Sequence, residues 1–467
     1  MRRFGLGLLW AGGFGLAALM AYTLALDTGP GWPHVSTGHD PDLAEVAVYY
    51  PERVLWQEFR SAVRLCTRKG LAQEVEESET SVVISTPRHK RLIRFDFHDV
   101  RGLREMKDDV QRLLGRTPQP VAIVGSSNTV LTRAIAEALK AYAGPQGEKG
   151  PVLLVPWASA VLADRPEPGE GPVALLDILP GRTFRFCPNN QYEADLVVQC
   201  LTAGDAKLTP RRAVLLVNRR DPYSVDLAAC FHRAVEAAAP QAEIVELADP
   251  LSLPILHNPA MLPGPEEEAL AQSIWRDAEN APGLGTTWVV LPLQPVPTQR
   301  MITALGRHGR RGLRSGEGPL RVVCGDGIGF SVLAPLAGRC AFPVWCSSSA
   351  SAPSAVLALG QGLSPDTQVQ AEIVSALIRC LDRAAERVGE SDRLRKDLAA
   401  LRLDAASPAA MGRSLAFSRS GERLGDDLGN ALMIRPDRPA VYAISRKPGG
   451  RWSEPVRLEF SPVVLKP

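Results

Sequence analysis

Short apolar runs that alternate with amphipathic stretches predict an α/β protein made of two doubly wound lobes, each a parallel sheet covered by helices on both faces. Three observations carry this reading. The alternation repeats along most of the chain. At 467 residues the chain is too long for one ordinary domain, and two sheets fit that length better than one continuous sheet. A composition of 45% hydrophobic and 22% charged residues is that of a folded globular chain.

The first element has a different character. Arg2 and Arg3 precede Phe4 to Leu26, an uncharged run rich in Leu, Ala and Gly. A helix needs about 20 apolar residues to cross the hydrocarbon core, and this run is long enough. No clean small-x-small site ends it, so an N-terminal transmembrane anchor is expected, with a cleaved signal peptide as the alternative. Retention of the two arginines inside would place everything from Asp27 onward outside the cytoplasm. Asp27 to Asp42 carries Gly29, Pro30, Gly31, Pro33 and Gly38 and reads as a spacer.

Beyond the spacer, strands are expected at Val46–Tyr50, Val82–Ser85, Val121–Val124, Val152–Val155, Val173–Leu176, Ala213–Val217, Glu243–Glu246, Trp288–Pro292 and Leu320–Cys324. Helices are expected at Val54–Lys69, Leu103–Leu114, Thr129–Tyr142, Tyr192–Thr202, Val225–Ala238 and Thr298–Leu305, with a later one from about Gln368 to Val388. Ala431–Ile434 and Val441–Ile444 flank Pro436, Asp437 and Pro439 and read as a hairpin. The stretch Pro263–Pro282 is long and acidic. Arg300, Arg307, Arg310, Arg311, Arg314 and Arg321 are interleaved with Gly, Ser and His and read as a solvated loop.

Three landmarks in this frame resemble the type I periplasmic solute-binding family, in its branched-chain amino-acid-binding branch. They are Pro120-Val-Ala-Ile-Val-Gly-Ser-Ser-Asn-Thr129 before a helix; Phe184-Arg-Phe-Cys-Pro-Asn-Asn190, a helix, then Arg211-Arg-Ala-Val-Leu-Leu-Val-Asn-Arg-Arg-Asp-Pro-Tyr223; and Trp288-Val-Val-Leu-Pro-Leu-Gln294, a helix, then Arg321-Val-Val-Cys-Gly-Asp326. Their order holds over roughly residues 45–445. The resemblance implies a three-crossover hinge and a ligand trapped between closing lobes. It divides the chain into residues 1–26 (anchor or signal), 27–44 (spacer), 45–186 with 346–412 (lobe 1), 187–345 with 413–450 (lobe 2) and 451–467 (tail). The tyrosine that often opens the late helix of the family is missing near Gln368.

The candidate ligand-binding residues follow strands. Ser126, Ser127 and Asn128 lie between a buried strand and a helix start, where hydroxyls and first-turn amides favour a carboxylate. An ordinary helix cap by Ser127 or Asn128 is the plain alternative. Trp157, Ala158 and Ser159 follow the next strand, and the resemblance places the amides there and Ser159 at the same ligand end. Trp157 serves either as an apolar wall or as lobe packing. On the other lobe the resemblance implies Tyr223 and Gln294 as contacts, and Asp326 as the carboxylate for a ligand ammonium. A turn-forming Asp beside Gly is the alternative for Asp326.

Other chemistries lack their motifs. Residues 125–129 have no Gly-Lys-Ser/Thr and no second glycine of an esterase elbow. The seven histidines show no metal-ligand spacing, so neither a metal nor a cofactor is expected, and no catalytic group is assigned. A net charge of +2, from 53 basic and 51 acidic residues, gives no electrostatic case for nucleic acid. The eight cysteines contain no CxxC, and buried free thiols are the plain reading. The expected function is capture of a small polar, amino-acid-like solute for an ABC-type membrane transporter, without enzymatic activity. A tethered sensor or scaffold that signals through a partner membrane protein is the alternative.

The Arg2-Arg3 and Phe4–Leu26 pattern gives a first testable expectation. The full-length protein should sediment with membranes while external protease reaches its soluble part. A mature soluble chain starting near Asp27 would overturn the anchor.

Overall fold

The computed structural model describes residues 43–458 apart from 164–172, 250–261, 310–318, 327–332, 349–364, 383–389, 435–440, 446–453 and shorter loop stretches. The expected anchor, the expected spacer up to residue 42, and Arg310, Arg311 and Arg314 lie outside the described residues, while Leu43 and Ala44, expected in the spacer, already belong to the first strand. Among the described residues no helix is long and apolar enough to cross a membrane.

The first lobe contains β1 (Leu43–Tyr50), α1 (Arg53–Arg68), β2 (Gln73–Glu77), β3 (Ser81–Ser85), β4 (Leu92–Asp99), α2 (Leu103–Leu114), β5 (Ala122–Val124), α3 (Thr129–Ala143), β6 (Val152–Val155), β7 (Leu162–Ala163), β8 (Val173–Ala174), α4 (Leu175–Ile178) and β9 (Thr183–Arg185). Its seven-stranded sheet has the order β2-β3-β4-β1-β5-β6-β9. From β4 to β9 all neighbours are parallel, whereas β2 and β3 join antiparallel at one edge. Alternation along β1 explains the two-sided cover: Val46 and Val48 share a core with Trp56, Phe59 and Val63 of α1, while Ala47 and Tyr49 pack with Met106 of α2 and Ile135 of α3.

The second lobe follows with α5 (Asn190–Gly204), β10 (Pro210–Val217), α6 (Pro222–Ala238), β11 (Glu243–Ala248), α7 (Pro265–Asn280), β12 (Thr286–Leu291), α8 (Pro295–Gly309), β13 (Leu320–Cys324) and β14 (Val344–Ser348). The chain then returns to the first lobe through α9 (Pro365–Leu381) and α10 (Glu390–Ala399), whose Val374, Leu377 and Leu394 join the core of α1. A small antiparallel sheet comes next, made of β15 (Arg402–Leu403), β16 (Leu415–Phe417) and β17 (Arg423–Leu424). The last strands are β18 (Asn430–Ile434), β19 (Val441–Ser445) and β20 (Val456–Leu458). They complete the second sheet in the order β11-β10-β12-β13-β14-β18-β19-β20. Its first five strands are mutually parallel, and the last three are antiparallel additions. The chain therefore passes between lobes three times: after β9, after β14 and after β17.

The structure departs from the sequence reading in several places; among them, Leu415–Leu424 belongs with the first lobe, Leu415 and Phe417 lying in its core, rather than with lobe 2. Val173–Ala174 is strand, but Leu175 and Leu176 already belong to a helical turn. The acidic stretch, for which no element was expected, forms α7, because Ala271, Ile274, Trp275 and Ala278 lie at helical spacing and are buried. Arg300 and Arg307 are helical rather than in a loop, and they pair with Glu267 and Glu268 of α7 at 2.5 Å each. Arg321 is a buried residue of β13. Finally, β14 lies in the second sheet past the 345/346 division, and β20 adds part of the tail to that sheet.

Hydrogen bonds hold the lobes against each other at one loop. Asp226 of α6, only 6% exposed, accepts from the backbone N–H of Val161 at 2.8 Å and of Leu162 at 3.0 Å. It also accepts from Asn190 Nδ2 at 2.8 Å. The preceding residues of the loop are tied too, with Asn190 N–H donating to Ser159 O at 2.9 Å and Arg185 Nη2 to Ala160 O at 2.7 Å. Behind this latch, Arg423 and Glu372, both fully buried, form an ion pair at 2.5 Å, and the same guanidinium donates to Phe186 O. Such a pair is costly to break singly because the remaining charge stays buried.

Hydrogen bonds to a charged acceptor are worth about 1.5–3 kcal/mol each. Asp226→Asn keeps the volume but sets its NH2 against one of the two loop amides and removes the charge from the other bonds, so it should lower the stability by about 2–4 kcal/mol. Its radius of gyration in small-angle scattering should also rise. An unchanged melting curve and radius would mean the latch does not hold the lobes together.

Candidate functional site

Both sheets turn the C-terminal ends of their parallel strands toward this junction, the position where open α/β sheets place ligands. In the first lobe, β5 ends at Val124 and the chain turns at Gly125 into α3. Ser126 is fully buried, Ser127 and Asn128 half-buried. Asn128 caps α3, its side chain accepting from Leu131 N–H at 2.9 Å. The ordinary cap is thus real, and it occupies the Asn128 side chain. The hydroxyls of Ser126 and Thr129 are different: both are buried and have no hydrogen-bond partner among the described residues.

The segment after β6 repeats the pattern. Ala158 is buried in the lobe core, so only its backbone can face a ligand. Ser159 is 1% exposed, and its hydroxyl lacks a partner among the described residues. Trp157 packs on Tyr50, which ends β1, with ring centres 5.3 Å apart. The indole N–H of Trp157 and the hydroxyl of Tyr50 are both buried without a partner among the described residues. Tyr50 was not foreseen from the sequence, although its place as the last residue of a central strand marks it. Native structures leave few buried polar atoms unsatisfied, and those of Tyr50, Ser126, Thr129, Trp157 and Ser159 follow or end three adjacent strands.

The second lobe presents the opposite chemistry. Asp221 caps α6 through Tyr223 N–H at 3.1 Å and accepts from Gln294 Nε2 at 3.0 Å. Burial raises its carboxyl above the ordinary range, partly offset by these donors. The hydroxyl of Tyr223 donates to Asp326 Oδ1 at 3.1 Å. Asp326 in turn donates its backbone N–H to Glu193 Oε2 at 3.2 Å, and Ser347 Oγ donates to the same oxygen at 3.0 Å. The network therefore runs across the ends of β10, β12 and β13 and reaches β14, and it joins Tyr223, Gln294 and Asp326. Burial, together with the neighbouring Asp326, raises the Glu193 carboxyl well above the ordinary range. Burial likewise raises that of Asp326, against the hydrogen bonds it receives.

Asp326 is thus not a lone carboxylate in a wet cleft. Glu193, fully buried in the first turn of α5, was missed by the sequence reading because one Glu on an amphipathic helix carries no motif. Gly325 makes the arrangement possible: a Cβ there would lie 2.8 Å from Tyr223 Oη and clash with Leu227.

No family model matches the chain, and no curated protein matches its sequence. Solved structures do match. An ABC transporter substrate-binding protein from Desulfitobacterium hafniense, in complex with Leu, superposes with a TM-score of 0.58 at 14% identity, covering 85% of this chain and 99% of that one. The branched-chain amino acid transporter substrate-binding protein of Streptococcus pneumoniae, in complex with isoleucine, gives 0.55 at 13% identity, covering 86% and 99%. A solute-binding protein of an ABC transporter from R. palustris, in complex with 4-hydroxybenzoate, gives 0.58 at 12% identity, covering 89% and 96%. The chain has the type I periplasmic-binding-protein fold. At such identities the likeness establishes this two-lobed fold with its three crossovers and leaves the site chemistry to the residues themselves.

Gly325→Ala should force Tyr223 away from Asp326 and cost about 1–3 kcal/mol of stability, as overpacking of a tight core does. Thermal unfolding measures this; a melting temperature equal to that of the unsubstituted protein would show that the network has room to spare.

Proposed function

We propose that this protein is a non-enzymatic, extracytoplasmic solute receptor that traps an amino-acid-like ligand between its lobes and delivers it to an ABC-type transporter. The observation that carries the reading is the division of polar groups across the junction. Lobe 1 offers donors without partners among the described residues: the hydroxyls of Tyr50, Ser126, Thr129 and Ser159 and the indole N–H of Trp157. To these the start of α3 adds its first-turn amides, which favour an anion. Lobe 2 offers Asp326, with Tyr223 and Gln294 in its network. A zwitterion satisfies both sides, its carboxylate on the donors and its ammonium on Asp326.

Support for this class also comes from the neighbours that share the fold, which bind leucine, isoleucine or 4-hydroxybenzoate. Solute release from such a receptor requires the lobes to part, which here means breaking the hydrogen bonds at the 159–162 loop. The membrane tether rests on Arg2-Arg3 and the uncharged Phe4–Leu26 run.

Calorimetric titration with the proteinogenic amino acids tests the reading. At least one should bind, and Asp326→Asn should weaken it roughly tenfold to a hundredfold, the loss of one charge-assisted contact. Ser126→Ala should weaken it less, since the helix-start amides remain. Failure of every amino acid to bind, or unchanged affinity in Asp326→Asn, would overturn it.

A further inference from the structure

The Glu193 carboxyl has no role in the reading above, yet it is fully buried and placed against Asp326. Its Oε2 accepts from Asp326 N–H and Ser347 Oγ, whereas its Oε1 is buried without a hydrogen-bond partner among the described residues. One turn earlier on the same helix, Asn190 Oδ1 is likewise buried and without a partner among the described residues. Asn190 itself touches the other lobe, its N–H donating to Ser159 O, the backbone of a residue whose own hydroxyl is unpartnered. The first turn of α5 therefore adjoins the donor side of the junction, and Glu193 adjoins the acceptor side.

Two carboxyls this close, one fully buried and the other half-buried, do not readily both ionise without a positive charge between them. Among the described residues, the groups packed against them supply none. Tyr223 and Cys230 come from α6, Cys187 from the first crossover and Cys346 from β14, and all are neutral when protonated. Arg185 is the neighbouring cation, and it is engaged by Ala160 O and by Glu422 at 3.2 Å. Glu422 is the remaining acid facing Cys187.

We propose that Glu193 and Asp326 form one acid pair that holds a single proton before the solute arrives and releases it to solvent when a solute ammonium takes its place. The exchange balances: one R–NH3+ enters, one H+ leaves, and the charge of the pocket end is unchanged. Capture is then specific for solutes with a cationic end, because a carboxylic acid without an amine displaces nothing. This inference rests on the amino-acid reading of the cleft. The raised carboxyls of Glu193 and Asp326 agree with it. For acids raised in the unliganded state, the sign is fixed: low pH favours the protonated pair and competes with solute, so affinity should climb with pH.

The test uses the full chain in detergent, with L-leucine and its deaminated counterpart 4-methylpentanoate as probes, and the other amino acids if leucine is silent. Titration calorimetry at fixed pH in buffers of different ionisation enthalpy counts the protons. We expect release approaching one proton per amino acid bound, affinity rising by up to about tenfold per pH unit across the range where the proton is held, and no binding of 4-methylpentanoate. Glu193→Gln should abolish the release and flatten the pH slope while the protein still binds. Should that variant not fold, the buffer dependence of the unsubstituted protein decides alone. Binding of an amino acid with no proton release overturns the acid pair but leaves the proposed function standing. Absence of all amino-acid binding overturns both.

Discussion

One loop, residues 159–162, decides how the two halves of this molecule meet. Its amides end on the buried carboxylate of Asp226, its carbonyls receive Asn190 and Arg185, and among the described residues no apolar core runs across it. Each lobe keeps its own hydrophobic layers, with helices on both faces of each sheet. Because the parallel strands of both sheets end beside that loop, everything polar that these ends present is brought to a common boundary. Hydrogen bonds fix the lobes in register there without the large apolar burial that would weld them together.

The two sides of that boundary obey the same rule with opposite chemistry. A buried polar atom costs free energy until it finds a partner. In the first lobe the atoms so placed are neutral donors, while in the second they are carboxyls that accept from a tyrosine, a serine and a backbone amide. Neutral donors can wait unpartnered at modest cost. An ionised carboxyl left isolated is far more expensive, and here the carboxyls are found clustered with Tyr223, Ser347 and each other.

Much of this was legible in the amino-acid order. Runs such as Val152–Val155 and Leu320–Cys324 are strands as read, because fully buried parallel strands are continuous apolar runs. The helix over Leu103–Leu114 also appears with the bounds its periodicity gives. Edge strands escaped: Gln73–Glu77 is exposed along most of its length and has no apolar signature. The α7 helix was hidden by its three leading glutamates, which belong at a helix N-terminus but look like a solvated loop. Within the site, residues just after strands were readable from position alone. Glu193 and Tyr50 were not, since their importance arises from what the fold sets opposite them, which no local pattern encodes.

The eight cysteines are all buried thiols outside any disulfide, and they are divided between the lobes. Cys66 and Cys380 sit in the first, while Cys200, Cys230, Cys324, Cys340 and Cys346 sit in the layers of the second. Burial pushes the thiols of Cys66, Cys200 and Cys230 up to about 12, so in the native state they are protonated and slow to react. The molecule thus carries a built-in set of footprinting probes: alkylation of any one of these sulfurs reports that its own layer has opened. Mass-resolved labelling over time would separate breathing of one lobe from breathing of the other without introducing a single foreign residue.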